Sequence, residues 1–161
     1  MYSKIVPLRD DLIQKTSQQL ATVLYSLGVE ENPDTSQARI MLQAAYQQFT
    51  GTDGVLLRHL SSADILKTLS VSGKPDPERG YAIAILFEVE ARLEHLSGQS
   101  TSDLEIKAFD LYLEAALGNI GAEDIHERIA ATGERLESFV LPEASEWRLF
   151  HYEIKCERFD R

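Results

Sequence analysis

The residues of this chain whose types could carry chemistry are four histidines (His59, His95, His126, His151), one cysteine (Cys156) and three closely spaced glutamates (Glu88, Glu90, Glu94). The segment Glu123-Asp124-Ile125-His126 has a Glu-x-x-His spacing, which puts both side chains on one helix face. A di-iron bundle needs two such motifs and two further glutamates. One motif is present, and a helix start accounts for its acids, since Glu123 and Asp124 suit the positive end of a helix dipole. Cys156 has Lys155 and Arg158 close by, and nearby positive charge lowers a thiol pKa. However, His151 is five residues away on another face, so Cys156 reads as a packed structural cysteine. Glu88 and Arg92 have the four-residue spacing of a surface ion pair. Glu90 and Glu94 have the same spacing with like charges, which calls for basic residues from another helix. Gly51-Thr52-Asp53-Gly54 is too short for a phosphate loop and lacks its lysine, and it reads instead as a break in the chain. No Gly-x-Ser-x-Gly elbow occurs. The expectation is therefore a protein without catalytic, cofactor-binding or metal-binding residues. The alternative is a helical ligand-binding protein or enzyme with a small pocket between hairpins, using Tyr81, Glu88, Tyr112 or His126 turned inward.

Composition bounds the partners. The chain has 161 residues, 43% hydrophobic and 26% charged, enough for one domain with a real core. Glycine (9) and proline (5) are sparse, which fits long elements with short punctuation. The net charge of −10 repels phosphate backbones, so no nucleic-acid partner is expected. A single cysteine allows no internal disulfide and fits a reducing cytoplasm. The first residues have no apolar core of signal-peptide length. The longest apolar run, Tyr81 to Phe87, is too short to span a bilayer, so no membrane partner is expected.

The elements that must position these residues are helices. Leu12, Ile13, Leu20, Val23, Leu24 and Leu27 form one stripe over residues 8–27, with Gly28 placed for a left-handed cap. A second helix follows over 35–49, with Ala38, Met41, Leu42, Ala45 and Phe49 as its face. A short helix with a serine cap covers 61–70. Asp76 caps the next, with Pro77 at its first position. That helix, 77–96, is apolar all round in its centre and so must be covered on every side. A fifth helix covers 102–117, through Leu104, Ala108, Leu111, Tyr112 and Ala115. The sixth, 122–140, carries Gly133 in its apolar stripe, which implies either close packing by a neighbour or a break. The last, 142–158, has two stripes: Trp147, Phe150 and Ile154, and Leu149, Tyr152, Cys156 and Phe159. Two faces imply a second subunit or a helix wedged between layers of its own chain.

A faint repeat runs through this pattern at roughly 70 residues, about twice the ~34-residue unit of helix-turn-helix arrays. Gly28 and Gly98 each follow a helix, and Ala38, Met41-Leu42 and Ala45 correspond to Ala108, Leu111-Tyr112 and Ala115. The stretch Ala108-Phe109-Asp110-Leu111-Tyr112-Leu113-Glu114-Ala115 resembles the second helix of a tetratricopeptide unit. With Asp11-Leu12-Ile13, Gln18 to Leu24, and Leu60 to Leu66, the chain resembles a family of uncharacterised bacterial proteins with tetratricopeptide-like folds. The resemblance implies a fold and no activity. The chain lacks the tryptophan and leucine-glycine pair of the standard first helix.

The expectation is an all-α domain over residues 1–161, a right-handed stack of about seven helices. Its hairpins cover roughly 8–50, 77–118 and 122–158, joined by the short helix 61–70. It would serve as a cytoplasmic interaction module for a protein or peptide, with a homodimer as one form. Trp147, Phe150, Tyr152 and Phe159 would make the contact surface.

Overall fold

The computed structural model describes residues 15, 18–19, 22, 34–50, 54–70, 73–74, 76–118 and 124–159. Seven helices lie among them, and no β-strand: α1 (Thr35–Thr50), α2 (Gly54–His59), α3 (Ser62–Thr68), α4 (Pro77–Leu96), α5 (Ser102–Leu117), α6 (Ile125–Arg135) and α7 (Glu143–Phe159). Of the expected first helix, Lys15, Gln18, Gln19 and Thr22 are helical and exposed. Its apolar stripe and Gly28 lie outside the described residues, and so does Glu123.

The core forms around α4. From Gly80 to Ala91 every residue of this helix is buried, and Ile83, Ala84, Ile85, Leu86, Phe87 and Val89 are fully enclosed. A helix with no polar face can be stable only in that setting. Its ends are written locally. Asp76 Oδ1 accepts a hydrogen bond from the Arg79 amide at 3.2 Å, ahead of Pro77. At the other end Gly98 takes a φ of +76°, while its amide bonds to the His95 carbonyl and that of Gln99 to the Glu94 carbonyl. This pair of bonds closes the helix in a Schellman turn, which needs a residue at ease in the left-handed region. Ser61 caps α3 in the expected way, accepting from the Asp64 amide at 3.1 Å.

Among the described elements, the α4–α5 hairpin is the most extensive contact. On one side α1 packs against α4, and on the other α6 and α7 both pack against α5. The short helix α3 also leans on α5. Buried side chains of α1, α4, α5 and α6 form one continuous core. The face of α1 is Ala38, Leu42, Ala45 and Tyr46, with Met41 half-buried. The side chain of Phe49 lies outside the described residues.

Two boundaries differ from the sequence reading. Gly54 opens α2 rather than completing a break. A β-carbon there would come within 2.6 Å of Tyr46 Cε2, so glycine is required by the ring above it. Helix α6 ends at Arg135, short of residue 140, as Leu136 turns into the core at 2% exposure. Gly133 lies inside α6, with Phe109 Cε2 3.6 Å from where a β-carbon would stand. That is an ordinary contact distance, so crowding does not demand the glycine, which lies two residues before the helix stops.

Candidate functional site

Two regions concentrate side chains able to act. One is a buried ionic network, the other the outer face of α7.

The network centres on Glu88, which α4 carries into the core at 7% exposure. Its Oε2 accepts from the Tyr112 hydroxyl at 3.1 Å and from Arg128 Nη1 at 3.1 Å. Its Oε1 accepts from Arg135 Nη2 at 2.9 Å. Arg128 and Arg135 are seven apart on α6, so both reach the same side of that helix. Arg135 Nε continues to Glu105 of α5 at 3.0 Å, and Arg128 Nε to Asp124 at 2.6 Å. Asp124 stands at the N-cap of α6, yet its carboxylate makes no capping bond. It accepts instead from Arg128 and the Tyr81 hydroxyl. Burial alone would raise the Asp124 pKa, but these donors hold it below the usual aspartate value. Burial pushes the Tyr112 phenol well up, and the neighbouring Glu88 charge adds to it.

Tyr81, Glu88 and Tyr112 are thus brought together, with the two tyrosine rings 5.9 Å apart. Both Glu88 oxygens are engaged by Tyr112, Arg128 and Arg135. A carboxylate held by three donors ties three helices together. His126 is elsewhere, on the surface, stacked on Tyr152 at 5.7 Å. The ion pairs of Glu88 are with α6 and not with Arg92 of its own helix.

The other acids of α4 find the basic partners that their spacing demanded. Arg58 Nη1 lies 2.8 Å from Glu90, and Arg39 Nη1 lies 3.2 Å from Glu94. Glu90 also accepts from the Tyr46 hydroxyl at 2.7 Å. On α5, Asp110 accepts from Ser62 at 2.7 Å and faces Arg148 of α7 at 3.7 Å. Arg148 Nε donates to Glu114 at 2.8 Å.

Burial is the largest influence on Glu90 and raises its pKa above the ordinary 4.5, outweighing Tyr46 and Arg58. A carboxyl raised on folding stabilises the protein below its unfolded pKa, and that contribution is lost as pH climbs through the folded value. The stability of the native protein relative to Glu90→Gln should therefore fall as pH rises from about 4 to 7. Urea midpoints of both proteins across that range measure it. A difference that grows with pH would show that Arg58, and not burial, dominates at this site.

The outer region is set by the inner one. Arg148 ties α7 to α5, and Lys155 Nζ donates to the Ala116 carbonyl at 2.8 Å. Leu149 and Tyr152 turn toward the core, and at the edge of the helix the Tyr152 hydroxyl shares a 2.6 Å hydrogen bond with Nδ1 of the exposed His126. Trp147 and Phe150 are left outside, 55% and 51% exposed. They meet edge to face at 6.0 Å, and His151 stacks on Trp147 at 6.0 Å. Phe139 and Val140, just before α7, are also exposed. Beyond His151 the face opens into a groove of about 760 Å³ lined by Leu117, His151, Ile154, Lys155 and Arg158.

Of the four residues expected on a contact surface, the structure brings Trp147 and Phe150 together and turns Tyr152 inward. The side chain of Phe159 lies outside the described residues. His151 belongs with the exposed aromatics and is not among those four. Its spacing of four from Trp147 places it on the same helix face. Cys156 is half-buried near Tyr152. Among the described residues, no three His, Cys, Asp or Glu side chains gather where they could hold an ion, and no helix is long and apolar enough to cross a membrane. No protein-family model, curated protein or solved structure matches this chain.

Proposed function

We propose that this chain is a non-enzymatic helical scaffold that works by contact, presenting the outer face of α7 to a protein or peptide partner. The observation that carries the reading is the cluster of Trp147, Phe150 and His151, apolar rings held half in water on a helix whose other face is anchored. Large exposed aromatics gathered in one place are characteristic of recognition surfaces. The acids that could serve catalysis are instead taken up by arginines and tyrosines. A tetratricopeptide-like stack, a cytoplasmic setting and the absence of a nucleic-acid partner belong to the same proposal. The packing of α1 on α4 and of α6 and α7 on α5, together with the charge of −10, supports it.

Trp147 is the sole tryptophan, so it reports on this face alone. Protein labelled with 5-fluorotryptophan should give one fluorine resonance, shifted or broadened on adding unlabelled host extract or on raising its own concentration. Phe150→Glu should abolish the response. A resonance indifferent to both additions would remove the contact role.

A further inference from the structure

We infer that the partner of the α7 face is a second copy of this chain, bound antiparallel about a two-fold axis between Phe150 and His151. The inference rests on the contact reading above and goes further by naming the occupant and its register.

The outer face of α7 is a chemical palindrome. It runs Glu143, Glu146, Trp147, Phe150, His151, Ile154, Lys155, Arg158, all exposed or half-exposed. The N-terminal half is acidic then aromatic, and the C-terminal half is apolar then basic. When two such helices lie antiparallel with Phe150 opposite His151, every other pairing is complementary. Glu143 meets Arg158, Glu146 meets Lys155, and Trp147 meets Ile154. Each pair occurs twice, as an isologous interface requires. The stripe from 143 to 158 spans roughly 22 Å at 1.5 Å per residue, so the charges lie at the ends and the apolar groups in the middle. A parallel pairing of the same stripe would set acid against acid and base against base.

The groove agrees with this register. Its lining residues are on the C-terminal half of the stripe and on the end of α5. In the antiparallel pair it receives the other copy's Trp147, the largest side chain exposed on the opposite half. Arg158 at its rim is exposed and forms no salt bridge among the described residues. Lys155 is already engaged with the end of α5, so the Glu143–Arg158 pair carries most of the charge pairing. Self-association against a net charge of −10 per copy needs such local attraction.

The test uses charge exchange in the full chain at low salt, read by sedimentation velocity. The native protein should approach twice its 18.1 kDa mass as concentration rises. Glu143→Lys sets cation against cation at both ends, and Arg158→Glu sets anion against anion. Each alone should weaken self-association about tenfold or more. An equimolar mixture of the two variants should restore it. In the mixed pair, the lysine introduced by Glu143→Lys faces the glutamate introduced by Arg158→Glu, and the unaltered Arg158 of the first copy faces the unaltered Glu143 of the second. A protein carrying both substitutions should also dimerise. A mixture no stronger than either variant overturns the antiparallel register. Dimers abolished by Trp147→Ala but untouched by both charge changes would leave the face in use with another geometry, which also overturns it. A monomeric native protein whose Trp147 resonance still responds to extract overturns self-pairing and leaves the contact role standing.

Discussion

Glu88→Ala is expected to cost about 3 kcal/mol of folding stability, because it leaves Arg128 and Arg135 largely buried with one carboxylate each, Asp124 and Glu105, and the buried Tyr112 hydroxyl without its acceptor. The side chains of Arg128 and Arg135 are only 16% and 23% exposed, so water cannot take over the role of the carboxylate. In a chain of this length that loss lowers Tm by roughly 10 °C. It is a large share of the roughly 5–15 kcal/mol that holds a typical domain together. Glu88→Gln keeps the shape and an acceptor but removes the charge, so its cost should be intermediate. Replacing Glu88, Glu105, Arg128 and Arg135 together by leucine and methionine should recover most of the loss, since an apolar cluster of similar volume needs no compensating charge and Asp124, 42% exposed, keeps water and the Tyr81 hydroxyl. Thermal and urea unfolding of the three proteins decide the matter. A Glu88→Ala cost below about 1 kcal/mol would mean that the arginines escape to solvent in the variant.

That network was only partly legible in the sequence. Spacing within a helix shows which residues share a face, and by that rule Glu88 looks toward Arg92. Its actual partners Arg128 and Arg135 are 40 and 47 positions away, brought in by the fold of α6 over α5. The like-charged pair Glu90 and Glu94 was more informative, because an unfavourable local arrangement implies foreign cations, here Arg58 and Arg39. Features set by the local chain were readable: the caps Ser61 and Asp76, the turn at Gly98, and α4 itself, whose lack of a polar face dictates burial on all sides. Features set by tertiary contact were not. Gly54 reads as a break until the Tyr46 ring is placed over it. On α7 the two apolar stripes are equivalent by periodicity. Arg148 and Lys155 bind α5 and Tyr152 meets His126, and only these contacts determine that Leu149 and Tyr152 face in while Trp147 and Phe150 face out.

Phe87→Ala is the second substitution with a large expected effect, and it acts locally before it acts globally. Phe87 is fully buried on the side of α4 that meets α1, its ring 6.3 Å from that of Tyr46. Removing it opens a cavity that the site cannot close, because α4 is held from its other side by α5 along its length. The expected cost is about 3–5 kcal/mol. Among the described residues, α1 is joined to α4 by this aromatic contact, by the Tyr46–Glu90 bond, by the core it shares through Ala38, Leu42 and Ala45, and by exposed Arg39, which reaches Glu94 and Ser97. An exposed ion pair adds little. Tyr46, once its ring loses Phe87, holds Glu90 less rigidly. Amides of Thr35–Thr50 should therefore exchange with deuterium much faster in the variant, while those of α5 and α6 stay close to their native ratio to global unfolding. Phe87→Leu, nearer in volume, should cost under about 1.5 kcal/mol and leave α1 protected. Uniform acceleration in α1, α5 and α6 would instead mean that α1 cannot leave without unfolding the α4–α5 hairpin, and that the packed helices form a single cooperative unit.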